Sequence, residues 1–192
     1  FMNALQPHPR LLASREHLDR ARRPSEHPLL RAAEREVEAV AEAGLESTDV
    51  PYETTKHNAL LARARAMQYR VLSLAVWWWR TGDERFRAAV VEHVRAMGGW
   101  THWSWLARRS GEEGPMAQFD LSYGENCATL ALAFDWLADT LSDEERSVFV
   151  EVAQRWGVDP FLHHTGKEIP PFWFRRLANN WNTVCTGGAG ML

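Results

Sequence analysis

Three asparagines and a tryptophan stand together near the end of the sequence, at Asn179, Asn180, Trp181 and Asn182, and a pair of glycines follows closely. Asparagine is depleted inside helices because its side chain competes for backbone hydrogen bonds, so the cluster predicts a loop or a helix cap. The glycines predict close backbone packing or a sharp turn. Because amide groups are costly to bury without partners, the cluster is expected either to brace a turn or to face a ligand.

A second set of polar residues lies on the segment 121–137, which is otherwise nearly all apolar. Ser122, Glu125 and Thr129 recur at i, i+3 and i+7, so they share one face of a helix. A carboxylate on such a helix must be paired or face a wet cavity. Glu125 is therefore predicted either to pair with an internal arginine or to belong to a polar stripe that lines a substrate groove. Tyr123, about 100° from Ser122 in helical projection, either flanks that groove or lies in the core.

Histidine and cysteine give fewer indications of chemistry. His102 stands beside two tryptophans, where it either forms a sugar subsite or plugs a loop. The adjacent His163 and His164 have no carboxylate or cysteine at ligand spacing, so we predict no metal site and no cofactor. There is no Gly-x-Ser-x-Gly motif, and Cys185 has no protease signature around it, so a nucleophilic serine or cysteine is not predicted.

Composition bounds the class of protein. The 192 residues carry a formal net charge of −3, which argues against a nucleic-acid partner. The longest apolar run, Val71 to Trp79, is far shorter than the roughly 20 residues of a membrane helix, and no targeting segment is visible. We therefore predict neither nucleic acid nor membrane as partner. Ten tryptophans suit a thick core, aromatic sugar platforms, or both.

Helical periodicity recurs along the whole chain and no strand pattern appears, so the fold class is predicted to be all-α. Two of the predicted helices are apolar nearly all round, and their neighbours are amphipathic. This alternation predicts antiparallel helical hairpins with an inner and an outer member, as in an (α/α) toroid or an α-solenoid. The predicted helices span about 14–22, 25–43, 57–80, 83–97, 121–137 and 142–156, with a further one from near 184 and loops at 100–115 and 157–178.

Four blocks of the sequence, in this order, resemble the heparinase II/III-like polysaccharide lyases, which include alginate and oligo-uronate lyases. They are His8-Pro9-Arg10-Leu11-Leu12, Leu121 with Glu125, Phe134-Asp135-Trp136-Leu137 with Leu141-Ser142-Asp143-Glu144-Glu145-Arg146, and Asn179 to Gly188, the strongest match. Phe134 stands where the family usually has tyrosine. Some members have histidine where Asn180 stands, which leaves the identity of the catalytic base open.

The resemblance implies β-elimination of a uronic-acid-containing polysaccharide or oligosaccharide. In that reaction the uronate carboxylate must be neutralised before the adjacent proton can be removed, and an amide supplies neutral donors. The resemblance implies Asn180 as the neutralising residue, assisted by Asn179, with Trp181 as a stacking surface. Between residues 160 and 192, Lys167, Arg175 and Arg176 oppose only Glu168, which also favours an anion. Further substrate contacts are predicted at Glu125, Tyr123, Arg175 and His102.

The resemblance also bears on the extent of the domain. It implies that residues 1–192 are the N-terminal part of an incomplete (α/α) toroid. The remaining helices, the acid and base, and a C-terminal β-sheet domain are then expected beyond residue 192. On this interpretation the chain is inactive alone and belongs to a periplasmic or secreted protein. It is also expected to form a homo-oligomer that covers the apolar flank of its last helix.

Two other functions remain open from the sequence. An (α/α) glycoside hydrolase needs two carboxylates that flank the sugar bond. Glu125 with Asp120 or Asp135 are candidates, although Asp135 is also expected to bond a neighbouring loop. A non-catalytic helical scaffold that binds protein or glycan would use the tryptophan surfaces and would not need the asparagine cluster.

Overall fold

A computed structural model describes residues 6–168, 170–171, 173–174 and 178–192. The helices are α1 (Arg15–Ala21), α2 (Pro28–Glu46), α3 (Ala59–Thr81), α4 (Glu84–Gly98), α5 (Trp105–Ser110), α6 (Leu121–Leu137), α7 (Asp143–Val152), α8 (Asp159–Thr165) and α9 (Asn180–Met191). A 3₁₀ turn at Ala138–Thr140 follows α6, and a π-helical stretch at Ala153–Val158 joins α7 to α8. No strand occurs in these ranges, so the predicted all-α class is confirmed for the described part of the chain.

Several helix starts are fixed by the residues that the sequence rules predict. Ser14, Asp83 and Ser142 cap α1, α4 and α7, because the side-chain oxygen of each accepts a backbone N–H of the first turn. The α2 helix differs from its prediction at both ends. It begins at Pro28, since proline fits the first helical position, and it continues through Gly44, which was expected to lie just past its end.

Two predicted loop regions contain helices, and the last predicted helix starts earlier than expected. The short α5 forms because the Ser104 hydroxyl accepts the backbone N–H groups of Leu106 and Ala107. The α8 helix includes Pro160 and continues directly from the π-helical stretch at Ala153–Val158, without a capping side chain. The last helix starts at Asn180, earlier than predicted, because Asn179 acts as its cap.

Helices α3, α6 and α9 lie side by side, run in the same direction and form an inner layer. Near the starts of α3 and α6, Arg65 pairs with Glu125. Near their ends, the Trp79 indole donates to the backbone oxygen of Trp136. Because the start of α3 contacts the start of α6, and the ends of the two helices also contact each other, the two helices are parallel.

The contact between α6 and α9 is made by backbone against backbone. A Cβ atom added to Gly124 would lie 2.4 Å from the carbonyl oxygen of Val184, and one added to Gly188 would lie 2.2 Å from the carbonyl oxygen of Gly124. Only glycine fits at these two positions. This contact confirms the close backbone packing that the glycine pair predicts, and it fixes the start of α9 beside the start of α6.

The outer layer runs in the opposite direction. Arg146 of α7 donates to the carbonyl oxygen of Ala138, and the Phe134 and Phe149 rings lie 5.7 Å apart, so α6 and α7 are antiparallel. Helix α4 runs in the same direction as α7, since Arg87 near the start of α4 donates to Glu145 near the start of α7. None of the helices in the described ranges has the length and apolarity that a membrane crossing requires.

The core between the two layers is rich in tryptophan. Trp103 stacks on Trp156 with ring centroids 5.3 Å apart, and Trp79 and Trp173 are also buried. Trp105 and Trp181 instead belong to a smaller cluster at one end of the inner layer. The tryptophans therefore fill a thick core, which is one of the two roles that the composition predicts.

Candidate functional site

The helices α3, α6 and α9 all begin at the same end of the molecule, and the surface there is named the amino-end face. Each helix start carries the equivalent of roughly half a positive charge, so three parallel starts favour a bound anion. An apolar cluster supports this surface. The amino-end face consists of Tyr52, Leu106, Leu121, Asn180 and Trp181, which lie over the buried side chains of Leu60, Leu61 and Trp105.

The three amides of the asparagine cluster have different surroundings. The Asn179 side-chain oxygen accepts the backbone N–H of Trp181 at 2.8 Å and so caps α9. The Asn182 amide donates to the carbonyl oxygen of Phe174 at 2.6 Å and so braces the preceding loop. Asn180 is exposed, and no described residue makes a hydrogen bond to its side chain. The cluster therefore combines the predicted cap and brace with one amide that is able to bind a ligand.

Two tryptophans form the wall beside Asn180. The rings of Trp105 and Trp181 meet edge to face, with centroids 5.6 Å apart and an angle of 89° between the planes. Trp181 is partly buried against the apolar cluster, and His57 contacts the other side of Trp105 at 5.9 Å. The edge-to-face packing holds both indoles in fixed orientations, as a binding surface requires.

Asp120 positions this wall. Its carboxylate is fully buried and accepts the hydroxyl of Ser104 at 2.7 Å and the backbone N–H groups of Leu106 at 3.0 Å and Ser122 at 2.8 Å. Burial raises the pKa of Asp120, and these hydrogen bonds oppose that rise. Its backbone oxygen also accepts the thiol of Cys185 at 3.3 Å, so one residue joins the starts of α5, α6 and α9.

Glu125 is satisfied by an arginine, one of the two roles predicted for it. Arg65 Nε lies 3.0 Å from the Glu125 carboxylate, and the two side chains are 61% and 19% exposed. The alternative, a polar stripe that lines a groove, is wrong for its other members. Ser122 and Thr129 are fully buried, and the Thr129 hydroxyl is bound within α6 to the backbone oxygen of Glu125.

Tyr123 lies in the core rather than beside a groove. Its ring stacks on Phe119 with centroids 4.2 Å apart, and its hydroxyl donates to the backbone oxygen of Gly157 at 2.7 Å. Burial raises the pKa of this phenol well above its ordinary value. The side chain therefore has a structural partner for its one donor and presents almost no surface to a ligand.

Of the two other predicted contacts, one is half-buried and one cannot be placed. His102 is half-buried in the link before α5. Arg175 lies outside the described residues. The rings of His163 and His164 lie 5.0 Å apart, and no three His, Cys, Asp or Glu side chains in the described ranges form a group that could hold a metal ion.

Arg63 is a candidate that the sequence patterns did not indicate. Its guanidinium lies 3.4 Å from the centre of the Trp100 ring and 5.1 Å from that of Tyr52, a member of the amino-end face. Burial lowers the pKa of Arg63, while attraction to Tyr52 and Asp49 opposes the change. Among the described residues it makes no salt bridge. A stacked, planar guanidinium suits bidentate binding of a carboxylate.

The two aspartates that could pair with Glu125 in a hydrolase are both buried. Asp120 holds helix starts together. Asp135, 2% exposed, accepts His8 Nδ1 at 2.5 Å and the backbone N–H groups of Arg10 at 2.8 Å and Leu11 at 2.7 Å. The prediction that Asp135 bonds a neighbouring loop is confirmed, and neither aspartate flanks a site with Glu125.

The amino-end face thus combines three helix starts, an exposed amide, a stacked guanidinium and two fixed tryptophans. In comparisons with known proteins, no family model matches this chain and no curated protein matches it.

Proposed function

We propose that the amino-end face binds a uronate-containing polysaccharide and belongs to a lyase that cleaves it by β-elimination. The observation that carries the proposal is the state of Asn180. Its amide is exposed at the first position of α9, while the amides on either side are used to cap the helix and brace the loop. A neutral donor at a helix start is suited to bind a carboxylate.

The chemistry requires such a group. A base removes the proton next to the uronate carboxylate, the bond to the leaving oxygen breaks, and a carbon–carbon double bond forms. Negative charge builds up on the carboxylate as the proton leaves, so donors placed there in advance lower the barrier. Asn180 and the start of α9 supply those donors, and Asn179 assists by fixing the helix start.

The layered arrangement supports this assignment. Parallel inner helices with antiparallel outer partners fit part of an (α/α) toroid built of helical hairpins. In such a toroid, the starts of the inner helices gather around one rim. A chain of sugars laid across this rim would contact Trp181 and Arg63 in addition to Asn180, with the buried Trp105 packed against Trp181. Glu125 serves here as a brace for Arg65 near the same rim.

The test is the substitution Asn180→Asp, which keeps the size of the side chain and adds a charge that is favourable at a helix start. The free energy of unfolding should stay the same or rise. Affinity for mannuronate or galacturonate oligosaccharides, measured by calorimetry, should fall by about tenfold or more, because two anions would meet. In an assay of polysaccharide cleavage, the same change should abolish the ultraviolet absorbance of the unsaturated product.

A matched control is Ala32→Asp, which adds the same charge to an exposed position of α2 and should leave affinity unchanged. Equal binding of oligouronates by the Asn180→Asp variant and the parent chain would contradict the proposal and favour a scaffold. Cleavage of the polysaccharide without an unsaturated product would instead identify a hydrolase.

A further inference from the structure

A cavity of about 430 Å³ adjoins the amino-end face. Leu106 belongs to both, since it lines the cavity and packs in the cluster with Trp181. The volume lies in the range of small-ligand sites, which combine apolar walls with a few polar groups. The residues of the cavity that carry the argument are Glu112, Gln118, Phe119, His164, Lys167 and Trp173.

His164 fixes the position of a cation at this cavity. Its Nε2 atom lies 2.9 Å from the carbonyl oxygen of Met116 and 3.2 Å from that of Ala117, so Nε2 must carry the hydrogen. Burial lowers the pKa of His164, with Lys167 and His163 adding to the effect, so the ring is neutral near pH 7. Its Nδ1 atom is then an acceptor, and Lys167 Nζ donates to it at 3.5 Å.

The ammonium group keeps donors for a ligand. It has three, and within the described part of the chain Lys167 makes no salt bridge with a carboxylate. Glu112, the acidic residue of the wall, has both oxygens in use, one accepting the hydroxyl of Ser110 and the other the backbone N–H of Gln118. The Glu112 carboxylate is thus hydrogen-bonded within its own loop. The Gln118 side-chain amide is exposed and offers a neutral donor.

We propose that this cavity is a second carboxylate subsite, which takes the uronate unit next to the one held at Asn180. The Lys167 ammonium binds the carboxylate, and the Gln118 amide binds a hydroxyl or carboxylate oxygen. Phe119 and Trp173, whose rings are tilted at 56° with centroids 5.4 Å apart, form the apolar wall against which a sugar ring packs. This assignment rests on the proposed function, because it extends the same binding surface by one unit.

The chain offers a direct readout, because its sequence contains only two lysines, Lys56 and Lys167. Lys56 is already paired with Glu53 at 2.7 Å. With isotopically labelled lysine, an NMR titration with mannuronate oligosaccharides should shift the Lys167 signal and leave that of Lys56 in place. The indole signal of Trp181 reports the first subsite in the same sample.

The length of the oligosaccharide separates the two subsites. Lys167→Met should lower the affinity for disaccharides and longer oligosaccharides by about tenfold, the value of one charge-assisted contact, and leave that for the single uronate nearly unchanged. Lys56→Met should change neither. Carboxyl-reduced oligosaccharides should bind the Lys167→Met variant and the parent chain equally.

The outcomes are distinguishable. If oligouronates shift Trp181 but not Lys167, and Lys167→Met binds every length normally, the cavity is not a subsite and the proposed function stands. If they shift neither residue and the parent chain does not bind them, both proposals fall together. A shift of Lys167 with a length-dependent loss in Lys167→Met establishes the second subsite.

Discussion

The two ends of the inner layer both carry tryptophans and charged or amide side chains, yet they use them differently. At the end where α3 and α6 finish, Asp135 accepts three hydrogen bonds from the segment around His8 and Arg10. The Trp136 indole donates to Leu11, and the Trp79 indole donates to Trp136. At this end of the molecule, these polar groups make their hydrogen bonds to one another within the structure.

At the amino-end face the balance is different. Asp120 is also buried and fully bonded, but it holds the helix starts in place and leaves other groups exposed around it. Asn180, Arg63 and Lys167 have no carboxylate partner among the described residues, although all three carry good donors. On the proposed function, these donors are the ones that meet the anion, whereas the donors at the opposite end are used within the structure.

The comparison predicts that a change at the first end alters stability without altering binding. Asp135→Ala removes the acceptor of two backbone N–H groups and of His8, which would remain largely buried without partners. We expect the free energy of unfolding, measured with urea, to fall by about 3 kcal/mol. Affinity for oligouronates, measured on the folded fraction, should not change.

The control for this substitution is Asp139→Ala at the same end. Asp139 pairs with Arg15, but the two side chains are 55% and 48% exposed, so its loss should cost less than about 0.5 kcal/mol. A loss of binding in Asp135→Ala equal to that in Asn180→Asp would remove the distinction between the two ends.

A second prediction concerns the contact that holds the start of α9 beside α6. Gly188→Ala places a methyl group against the Gly124 backbone and should lower the free energy of unfolding by about 2 kcal/mol. Because α9 must move to make room, affinity for oligouronates should fall as well. The same thermal or urea unfolding experiments measure the first effect, and calorimetry measures the second.

Gly187 supplies the matched control, since an added Cβ there would meet nothing within 4 Å and the residue is exposed. Gly187→Ala should raise the free energy of unfolding by about 0.5 kcal/mol, because alanine restricts the unfolded chain. If the two alanine variants were equally stable, the backbone contact between α6 and α9 would not be the one described.

Local sequence signals predicted much of this architecture but only part of the candidate site. Caps such as Ser142 and Asn179 act within one turn of the chain, so they can be identified from sequence alone. The helices α5 and α8 were missed because tryptophans masked the cap at Ser104, and because α8 contains a proline and has no capping side chain. Tertiary burial also decided the position of Tyr123, which the helical projection left open.

A different cause explains why the sequence patterns did not indicate Arg63 and Lys167. The surroundings of Arg63 are formed by Trp100 and Tyr52, and those of Lys167 by His164 and the loop before α6. Most of these partners are distant in sequence. A single arginine or lysine in a helical or loop segment carries no periodic signal. Asp120 was considered only as a catalytic carboxylate, although an aspartate directly before an apolar helix is a typical cap.

The smallest expected effect is that of a substitution at Arg63, which tests whether the amino-end face selects ligands by their charge. Arg63→Gln removes the cation but keeps a polar side chain against Trp100. We expect affinity for oligouronates to fall about tenfold, equivalent to about 1.4 kcal/mol, with affinity for carboxyl-reduced oligosaccharides unchanged. Because the stacked contact is partly exposed, the free energy of unfolding should fall by less than about 1 kcal/mol.

Arg63→Lys should recover little of the affinity, since an ammonium lacks the planar fork. Arg95→Gln, which removes an exposed arginine paired with Glu92 on α4, should leave affinity unchanged. Equal losses toward charged and carboxyl-reduced sugars would show that Arg63 only supports Trp100, and the rim would then bind sugars through its aromatic surfaces rather than through their charge.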